Sequence, residues 1–510
     1  MKTSALCRWP VLSHRPKPAL LLALLTLTGQ FAPAQTARRI VSANGDPILY
    51  PSFLTPFDGK LYFRANNLPH GNNVELWAFD GTSARMVADL NPGPNGSDPS
   101  DLAVCNGRLY FCASAPGGAS KLWQADPVNG VSLAPGSASQ ASLPQGLSAY
   151  HGKLYFRAAR FGAPGNIGIE LWQFDGTNQT PLDLFAGSGS SYPQHLIEYN
   201  DLLYFNANGT PGQGSELWCY NGNGMPTEAA RIYPGNGSSP ENFAVYGGQL
   251  YFSAYDGFHG RELWRFDGTN ATLVADLVPG GAYSSSNPSG LRVYNGKLYF
   301  SATDGVHGYE LWSFDGTNAQ QLAEINPTPD PGNGDTFLMD SSPNQLTVFD
   351  GLLYFSANDG VHGRELWSYD GTTARLVLDL NPGPYGSEVS ELTVYAGALY
   401  FSGDDGYVPG LSALEPQVFA LAPARTLRFL PPELSASGQL TLTLGYADGT
   451  PVTASQLPQV RIYSATNAAE PFDQWQALTN PLQLAEGLIQ VSGLQLTNGP
   501  QRFFRAVVTP

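Results

Sequence analysis

The sequence of residues 298–317 is LYFSATDGVHGYELWSFDGT, and variants of this segment occur eight times along the chain. The successive Leu-Tyr-Phe motifs are spaced by 48, 45, 49, 47, 48, 55 and 46 residues. Their leucines are Leu61, Leu109, Leu154, Leu203, Leu250, Leu298, Leu353 and Leu399. Self-similarity at a nearly fixed period indicates a repeat architecture.

A tryptophan follows most of these motifs at one fixed position, within Glu-Leu-Trp or a close variant. Seven of the nine tryptophans occupy it, namely Trp77, Trp123, Trp172, Trp218, Trp264, Trp312 and Trp367. The eighth unit is degenerate there, and Phe419 is the best substitute. One large aromatic per unit predicts a core position between neighbouring units.

The seventh unit shows the local structure most clearly. Four strand-like runs follow one another, at 345–349, 352–357, 365–369 and 375–380, and the first alternates polar and apolar residues. Asp350-Gly351 and Asp370-Gly371 separate two pairs of these runs, and both are typical hairpin turns. A period of two without helical spacing predicts a four-stranded antiparallel meander.

Large apolar side chains lie on both faces of such a unit, so both faces must be covered. Radially stacked blades cover both faces, and closing the ring removes long open sheet edges. We therefore predict an all-β fold, a β-propeller of about eight four-stranded blades, with seven blades as an alternative and a linear β-solenoid as a rival. Two segments could supply the ring-closing strand, one at 39–43 and one at 425–430.

The two ends of the chain differ from the repeats. Lys2, Arg8, Arg15 and Lys17 precede an apolar run at 19–27 and a small-residue site at 32–34, a pattern typical of a secretory signal peptide. We expect a signal peptide at 1–34, a propeller at 35–430 and a small C-terminal β-sandwich at 431–510. The protein is then exported to the cell envelope, the periplasm or the exterior.

Composition narrows the function classes. The 510 residues include 26 Lys+Arg against 42 Asp+Glu, a formal net charge of −16. A strongly acidic chain without basic runs is a poor match for phosphate backbones, so we expect no nucleic-acid partner. Beyond the short apolar run near the N-terminus, the sequence predicts no transmembrane segment. It fixes neither the ligand nor the oligomeric state.

Three cysteines remain after signal cleavage, Cys105, Cys112 and Cys219. A two-residue turn at 106–107 would place Cys105 opposite Arg108 and Cys112 opposite Asp101. The two thiols would then be too far apart along the hairpin for a disulfide. We expect no disulfide framework.

Function is expected on the face that carries the longer loops, those between the second and third strands of each unit and those between units. The opposite face has mostly two-residue turns. Aromatic residues in or near the long loops are candidates for contact with a sugar or peptide. They are Tyr255, Phe258, Tyr309, Tyr385 and Tyr407, with Tyr192 and Tyr283 in similar places.

Carboxylates repeat in the same loops. The pairs Asp256 and Glu262, Asp304 and Glu310, and Asp359 and Glu365 are oxygen ligands of the kind that Ca²⁺ prefers. The alternative is structural, with aspartate forming a turn and glutamate bonding the backbone at a strand start. A zinc site from His259, His307 and His362 is less favoured, because each histidine lies in a different unit.

No short catalytic motif occurs in the sequence, and we assign no catalytic residue. The longest insertion, at 328–342, contains Asp330, Asp335 and Asp340, which could serve as paired carboxylates in glycoside cleavage. Three functions follow as hypotheses. The chain is a secreted non-enzymatic binding propeller for a glycan or protein, a structural envelope repeat stabilised by calcium, or a carbohydrate-active enzyme.

The pattern of Glu-Leu-Trp, Asp-Gly-Thr, Pro-Gly and Leu-Tyr-Phe resembles the bacterial ELWxxDGT-repeat family, some members of which are labelled hyalin-like. Residues 304–317 fit closely, and the resemblance covers about 40–420. It implies a secreted repeat protein and says little about activity. Family units often carry a second Gly-Thr that is mostly missing here, which shortens the third hairpin. The segment from Trp475 to 501–505 is similar to C-terminal modules of other large secreted bacterial proteins.

Overall fold

The computed structural model describes residues 37–67, 73–92, 95–114, 118–137, 141–161, 165–185, 189–209, 212–327, 340–406, 415–423, 427–430, 433–434, 439–446, 460–465, 476–486, 488–495 and 503–508. The described residues form forty β-strands and no helix, so none of them belongs to a helix that could cross a membrane. The predicted signal peptide lies outside these residues, and export stays a prediction.

Residues 36–422 form one compact unit, which contains eight antiparallel meanders. Blade 1 contains β2 Ile48–Phe57, β3 Lys60–Asn67, β4 Glu75–Phe79 and β5 Ala84–Ala88, and blade 2 contains β6 Ser100–Cys105, β7 Arg108–Ala113, β8 Lys121–Asp126 and β9 Gly130–Leu133. Blade 3 contains β10 Ser142–Tyr150, β11 Lys153–Arg160, β12 Ile167–Phe174 and β13 Gln179–Leu182, and blade 4 contains β14 Gln194–Tyr199, β15 Leu202–Asn208, β16 Ser215–Tyr220 and β17 Thr227–Ala230.

Blade 5 contains β18 Glu241–Tyr246, β19 Gln249–Tyr255, β20 Arg261–Phe266 and β21 Ala271–Ala275, and blade 6 contains β22 Ser289–Tyr294, β23 Lys297–Thr303, β24 Tyr309–Phe314 and β25 Ala319–Ala323. Blade 7 contains β26 Asn344–Phe349, β27 Leu352–Asn358, β28 Arg364–Tyr369 and β29 Ala374–Leu378, and blade 8 contains β30 Ser390–Tyr395, β31 Ala398–Gly403 and β32 Gln417–Leu421. The four strands predicted in the seventh unit are observed within two residues of their predicted bounds.

The first strands of successive blades contact one another in order, and β2 of blade 1 contacts β30 of blade 8. They form a closed inner ring, so the predicted propeller is confirmed, with eight blades. The N-terminal strand β1 (Ala37–Arg39) supplies the fourth strand of blade 8, where Ala37 pairs with Leu421 and Arg39 with Phe419. This strand begins two residues earlier than the predicted segment at 39–43.

The competing segment at 425–430 does not close the ring. Its described part contains β33 (Leu427–Phe429), which pairs with a strand of the C-terminal unit. Both candidates are short runs that begin with arginine and contain apolar residues, so their sequences alone did not separate them. Leu49 also pairs with Gln417, which joins blades 8 and 1 into one continuous sheet.

Every first strand carries a bulge near its start, next to the long-loop face. The residue in the bulge has positive φ in all eight blades, at Phe53, Asp101, Gly146, His195, Asn242, Gly290, Gln345 and Glu391. In blade 2 the pairing jumps from Ala103–Tyr110 to Ser100–Cys112. Cys112 therefore lies opposite Ser100, and the prediction that it faces Asp101 was wrong because the bulge adds a residue. Cys105 faces Arg108 as predicted, and both cysteines are free.

The apolar side chains of each blade cover both of its faces. Leu250 and Phe252 of blade 5 pack with Tyr204 and Leu217 of blade 4. On the other face, Leu263 of blade 5 packs with residues of blade 6. The tryptophan position lies in these interfaces, as expected, with Trp172 completely buried and Trp77 nearly so.

The C-terminal unit contains the strands β33 Leu427–Phe429, β34 Glu433–Leu434, β35 Gln439–Tyr446, β36 Val460–Ala465, β37 Gln476–Ala477, β38 Gln483–Ala485, β39 Leu488–Gln495 and β40 Phe503–Val508. They form two antiparallel sheets, one in the order β33-β35-β39-β38 and one in the order β37-β36-β40. Leu440, Leu442 and Leu444 alternate with more exposed neighbours on β35 and are buried.

Candidate binding face of the propeller

The glutamate of Glu-Leu-Trp ties the loop between blades to the sheet. In blade 5, the buried Glu262 carboxylate accepts hydrogen bonds from the Leu277 N–H at 3.1 Å and the Ser286 N–H at 2.8 Å. It also accepts a short hydrogen bond from the Ser286 hydroxyl. We call this arrangement the Glu–Ser latch. It occurs in six blades, through Glu75–Ser97, Glu170–Ser191, Glu216–Ser238, Glu262–Ser286, Glu310–Ser341 and Glu365–Ser387.

Two blades depart from the latch. Blade 2 has Lys121 at the glutamate position, and its ammonium group donates to the Ala141 carbonyl at 3.2 Å and the Ser142 hydroxyl at 3.0 Å. Blade 8 has the buried Gln417 there. Burial raises the pKa of the latch glutamates, and it raises the pKa values of Glu310 and Glu365 to about 7 against the lowering effect of their hydrogen bonds.

The loops between the second and third strands of blades 5 to 7 share one internal structure. The Asp256 carboxylate accepts from the Phe258 N–H and the His259 N–H, each at 2.8 Å, and its second oxygen lies 2.6 Å from His259 Nδ1. Asp304–His307 and Asp359–His362 repeat this pattern. The hydrogen bond with aspartate is the largest effect on the histidine pKa and raises it in all three loops. These bonds make each loop a fixed turn.

The residue at the tip of each such loop is apolar and exposed. Phe258 is 74% exposed, Val306 60% and Val361 61%. The loops that lead into blades 6 and 8 add Tyr283, which is fully exposed, and Tyr385, which is 78% exposed. These five side chains lie on the long-loop face, and we call them the loop-tip residues.

The other aromatic residues predicted to contact a ligand differ in their exposure. Tyr255 is half-buried and packs edge-on against Tyr233, with ring centroids 5.4 Å apart. Tyr309 is also half-buried, and its hydroxyl accepts from the Asn287 amide at 2.8 Å. Tyr192 is about half exposed. Tyr407 lies outside the described residues. Sequence position could not separate these cases, because it shows proximity to a loop and not the direction of the side chain.

The carboxylates proposed as calcium ligands already have donors from the chain itself. Glu262, Glu310 and Glu365 bind backbone and serine donors, while Asp256, Asp304 and Asp359 hold their own loops. This geometry supports the structural alternative for these residues, and calcium binding by them stays a prediction. The three histidines each bond to the aspartate of their own loop, and a zinc site from them stays the less favoured alternative.

The remaining residues of the repeated motif also have structural roles. In blade 5 the Asp267 carboxylate accepts from the Thr269 N–H and the Asn270 N–H, which builds the turn between the third and fourth strands. These hydrogen bonds lower the pKa of Asp267. Gly268 has a φ of +102°, a conformation that glycine adopts without strain. The Glu-Leu-Trp-x-x-Asp-Gly-Thr unit therefore encodes a latch, a core and a turn.

Of the carboxylates in the longest insertion, Asp330 and Asp335 lie outside the described residues. Asp340 accepts a hydrogen bond from the Tyr309 N–H at 2.7 Å, which fixes the start of β24. Within the described part of the chain, only His151, Glu198 and Asp201 bring three metal-ligating groups close together. All three are exposed on the short-turn face, and His151 Nε2 lies 2.7 Å from Asp201 Oδ1, which links blades 3 and 4.

Comparisons with known proteins add a statement about architecture. No protein-family model matches this chain, and no curated protein matches it. Among solved structures, the β-propeller domain of the Trilobed protease from Pyrococcus furiosus is similar at 13% identity and a TM-score of 0.39, over 65% of this chain and 98% of that one. That domain is described as having an open velcro topology.

Two further structures are peptidases. The acylaminoacyl peptidase of Pyrococcus horikoshii matches at 12% identity, with a TM-score of 0.38, over 79% of this chain and 58% of that one. A puromycin-hydrolyzing peptidase of Mycobacterium tuberculosis matches at 12% identity, with a TM-score of 0.41, over 73% of this chain and 60% of that one. The similarity therefore spans little more than half of each peptidase and concerns the fold alone.

Proposed function

We propose that this chain is an exported, non-enzymatic binding protein that recognises a glycan or a protein through its long-loop face. The observation that carries the proposal is the set of exposed apolar loop-tip residues on rigid loops. Exposed apolar side chains gain free energy when a partner covers them, and loops fixed by hydrogen bonds lose little entropy when they bind.

The identity of the repeated residues supports this division of roles. The conserved positions within the repeat hold blades together through the Glu–Ser latch, the tryptophan core and the Asp-Gly turns. The loop tips are not constant, with phenylalanine at 258 in blade 5 and valine at 306 and 361 in blades 6 and 7. A surface that varies on a constant scaffold is typical of recognition.

A structural envelope role is the second candidate, and the latch favours it. Six blades use the same buried glutamate and serine to fix the loop that leads to the next blade. This repetition strengthens the scaffold regardless of any ligand. Export, which the N-terminal pattern predicts, agrees with either function.

The test is a glycan-array and protein-partner screen with residues 35–510 in the presence of calcium. We expect selective binding that is lost when Phe258, Tyr283 and Tyr385 are changed together to serine. Val128→Ser is the matched control, because Val128 is 89% exposed but lies in a turn on the opposite face. Binding that survives the triple change, or the absence of any partner in both screens, would contradict the proposal.

A further inference from the structure

The inner ring loses its symmetry at the bulges. At three junctions between blades, the side chain of one bulge residue accepts the backbone N–H of the next. Asp101 accepts from Gly146 at 3.0 Å, Asn242 from Gly290 at 3.4 Å and Glu391 from Phe53 at 2.8 Å. Among the described residues the other five junctions lack this bond, and between blades 3 and 4 the bulge residue is Gly146, which has no side chain to accept it. Blade 6 also has a glycine there, Gly290, but an added Cβ at Gly290 would contact Leu346 at 3.7 Å.

Gly146 leaves an opening on the inner ring. Its φ is +66°, and a Cβ built on it would have no atom within 4 Å. The corresponding position carries aspartate in blade 2 and histidine in blade 4. Gly146 is exposed, so this open space, which we call the recess, lies at the surface between Asp101 and His195, at the end of the inner ring that meets the long-loop face.

Arg157 stands beside this recess. It lies opposite Gln145 in the blade 3 hairpin, and the Gln145 amide oxygen accepts from Arg157 Nε at 3.0 Å and Nη2 at 2.5 Å. Within the described parts of the chain, no carboxylate lies within ion-pair distance of this guanidinium. Its Nη1 group has no hydrogen-bond acceptor among the same residues. The amide therefore orients a guanidinium whose charge is not neutralised.

The other side of the recess carries His195, Glu241 and Arg261. The His195 ring lies 4.0 Å from Glu241, whose carboxylate is in turn 3.3 Å from Arg261 Nη1. Partial burial lowers the pKa of His195, and the charges of Arg157 and Arg261 lower it further against the effect of Glu241. Glu241 is thus paired with Arg261, and the Asp101 carboxylate is occupied by the Gly146 N–H and the Ser100 hydroxyl.

We propose that this recess, lined by Gly146, Arg157 and His195, binds the carboxylate of an acidic glycan, an inference that rests on the proposed binding function and specifies its ligand. A guanidinium presents planar N–H donors that match a carboxylate, and such charge-assisted hydrogen bonds are among the strong ones. The site is unusual in a chain whose formal charge is −16.

The neighbouring groups favour a glycan over a peptide. Gln145, Gln194 and Asn242 lie on the adjoining first strands, and Gln145 and Gln194 are exposed. The Gln194 amide offers a donor and an acceptor together, which suits adjacent sugar hydroxyls. Gln145 and Asn242, whose oxygens accept from Arg157 and the Gly290 N–H, contribute N–H donors. Leu143, near the start of the same blade 3 strand, is 46% exposed and offers an apolar surface for the face of a sugar ring.

The experiment compares uronate oligosaccharides with their methyl esters, using residues 35–510 and isothermal titration calorimetry. The probes are oligogalacturonate, alginate and hyaluronan fragments, each with and without esterified carboxylates. We expect at least one acid to bind more tightly than its ester, and its affinity to fall as salt is raised. Arg157→Gln is expected to lower the affinity for that acid about ten- to hundredfold and to leave the affinity for its ester unchanged.

Arg64→Gln is the matched control. Arg64 occupies the same position of its blade as Arg157, but Asp98 lies 3.5 Å from its guanidinium. It should leave binding unchanged, and equal melting temperatures for both variants exclude a folding defect. Equal affinity for acids and esters, or an unaffected Arg157→Gln variant, would overturn the inference.

The proposed function is judged separately. If the loop-tip variant loses binding to an array glycan while Arg157→Gln retains it, the binding function stands and the recess assignment fails. If Arg157→Gln abolishes binding to acidic peptides but no uronate binds, the glycan assignment is overturned. If the acids bind in an Arg157-dependent manner, both proposals are supported.

Discussion

Replacing the latch glutamate of one blade should destabilise the propeller by a large fraction of its total stability. In the variant Glu262→Ala, the Leu277 N–H, the Ser286 N–H and the Ser286 hydroxyl lose their common acceptor. A buried donor left without a partner costs about 1–3 kcal/mol. With partial rehydration of the loop, we expect a loss of about 3–5 kcal/mol, where whole domains are stable by about 5–15 kcal/mol.

The change is measured by urea denaturation followed by tryptophan fluorescence, because seven tryptophans lie at the repeat position of the blades. Ser286→Ala removes one hydrogen bond to a charged group and should cost about 1.5–3 kcal/mol. A double-mutant cycle between Glu262 and Ser286 isolates their interaction, and we expect a coupling of about 1–3 kcal/mol.

Blade 2 provides the control, since Lys121 replaces the glutamate there and its ammonium group makes two hydrogen bonds near the surface. Lys121→Ala should cost about 1 kcal/mol. If Glu262→Ala is no more destabilising than Lys121→Ala, or if the coupling between Glu262 and Ser286 is near zero, the latch does not hold the blades in the way its geometry indicates.

Three further predictions concern pH, the short-turn face and calcium. The pKa values of Glu310 and Glu365 are about 7 in the fold and ordinarily 4.5. Their contribution to stability is therefore complete below about pH 4.5 and is lost as the pH rises through 7. Urea unfolding of the variant with both residues changed to Gln should show a flatter dependence of stability on pH than wild type, and an equal slope would refute this. The Tyr246 hydroxyl donates to the Gly296 carbonyl of the next blade at 3.0 Å, so Tyr246→Phe should lower stability by about 0.5–1.5 kcal/mol. Blade 7 has Phe349 at this position, and Phe349→Tyr should add a comparable hydrogen bond. An unchanged melting temperature in both variants would count against the contact. Since the predicted calcium ligands already bind donors of the chain, chelator should leave the melting temperature unchanged, and a drop that added calcium reverses would restore the calcium hypothesis.

The repeat pattern was enough to predict the blades, because it records two constraints at once. Alternation places Leu250 and Phe252 on one face and Tyr251 on the other, and the Asp-Gly turns mark where the strands reverse. The bulges could not be predicted in this way, since a bulge shifts the pairing without changing the composition of the strand. Asp101 looks like an ordinary strand residue in sequence, yet it has a φ of +51° and bridges two blades.

The candidate sites were harder to predict for a different reason. Tyr255 ends β19 and Phe258 lies three residues further on in the loop, but Phe258 is in solvent while Tyr255 packs on Tyr233. Arg157 belongs to no motif, and its importance depends on what lies across the blade boundary. Only the positions of Gly146 and His195 on neighbouring strands make it part of a recess.

The closing strand has a consequence for how the propeller assembles and fails. Blade 8 receives its outermost strand from Ala37–Arg39, while its other strands begin at Ser390, so the ring is sealed by a contact between residues more than three hundred positions apart. Such a contact has a high closure entropy and forms late during folding. The closing strand pairs through three residues, with Arg39 also paired to Asp405, and beside it Leu49 pairs with Gln417. Under mechanical tension applied to the two ends of the propeller, the ring should therefore open first where the N-terminal strand pairs with blade 8. The other seven blades, each built from contiguous chain, should then unfold one at a time.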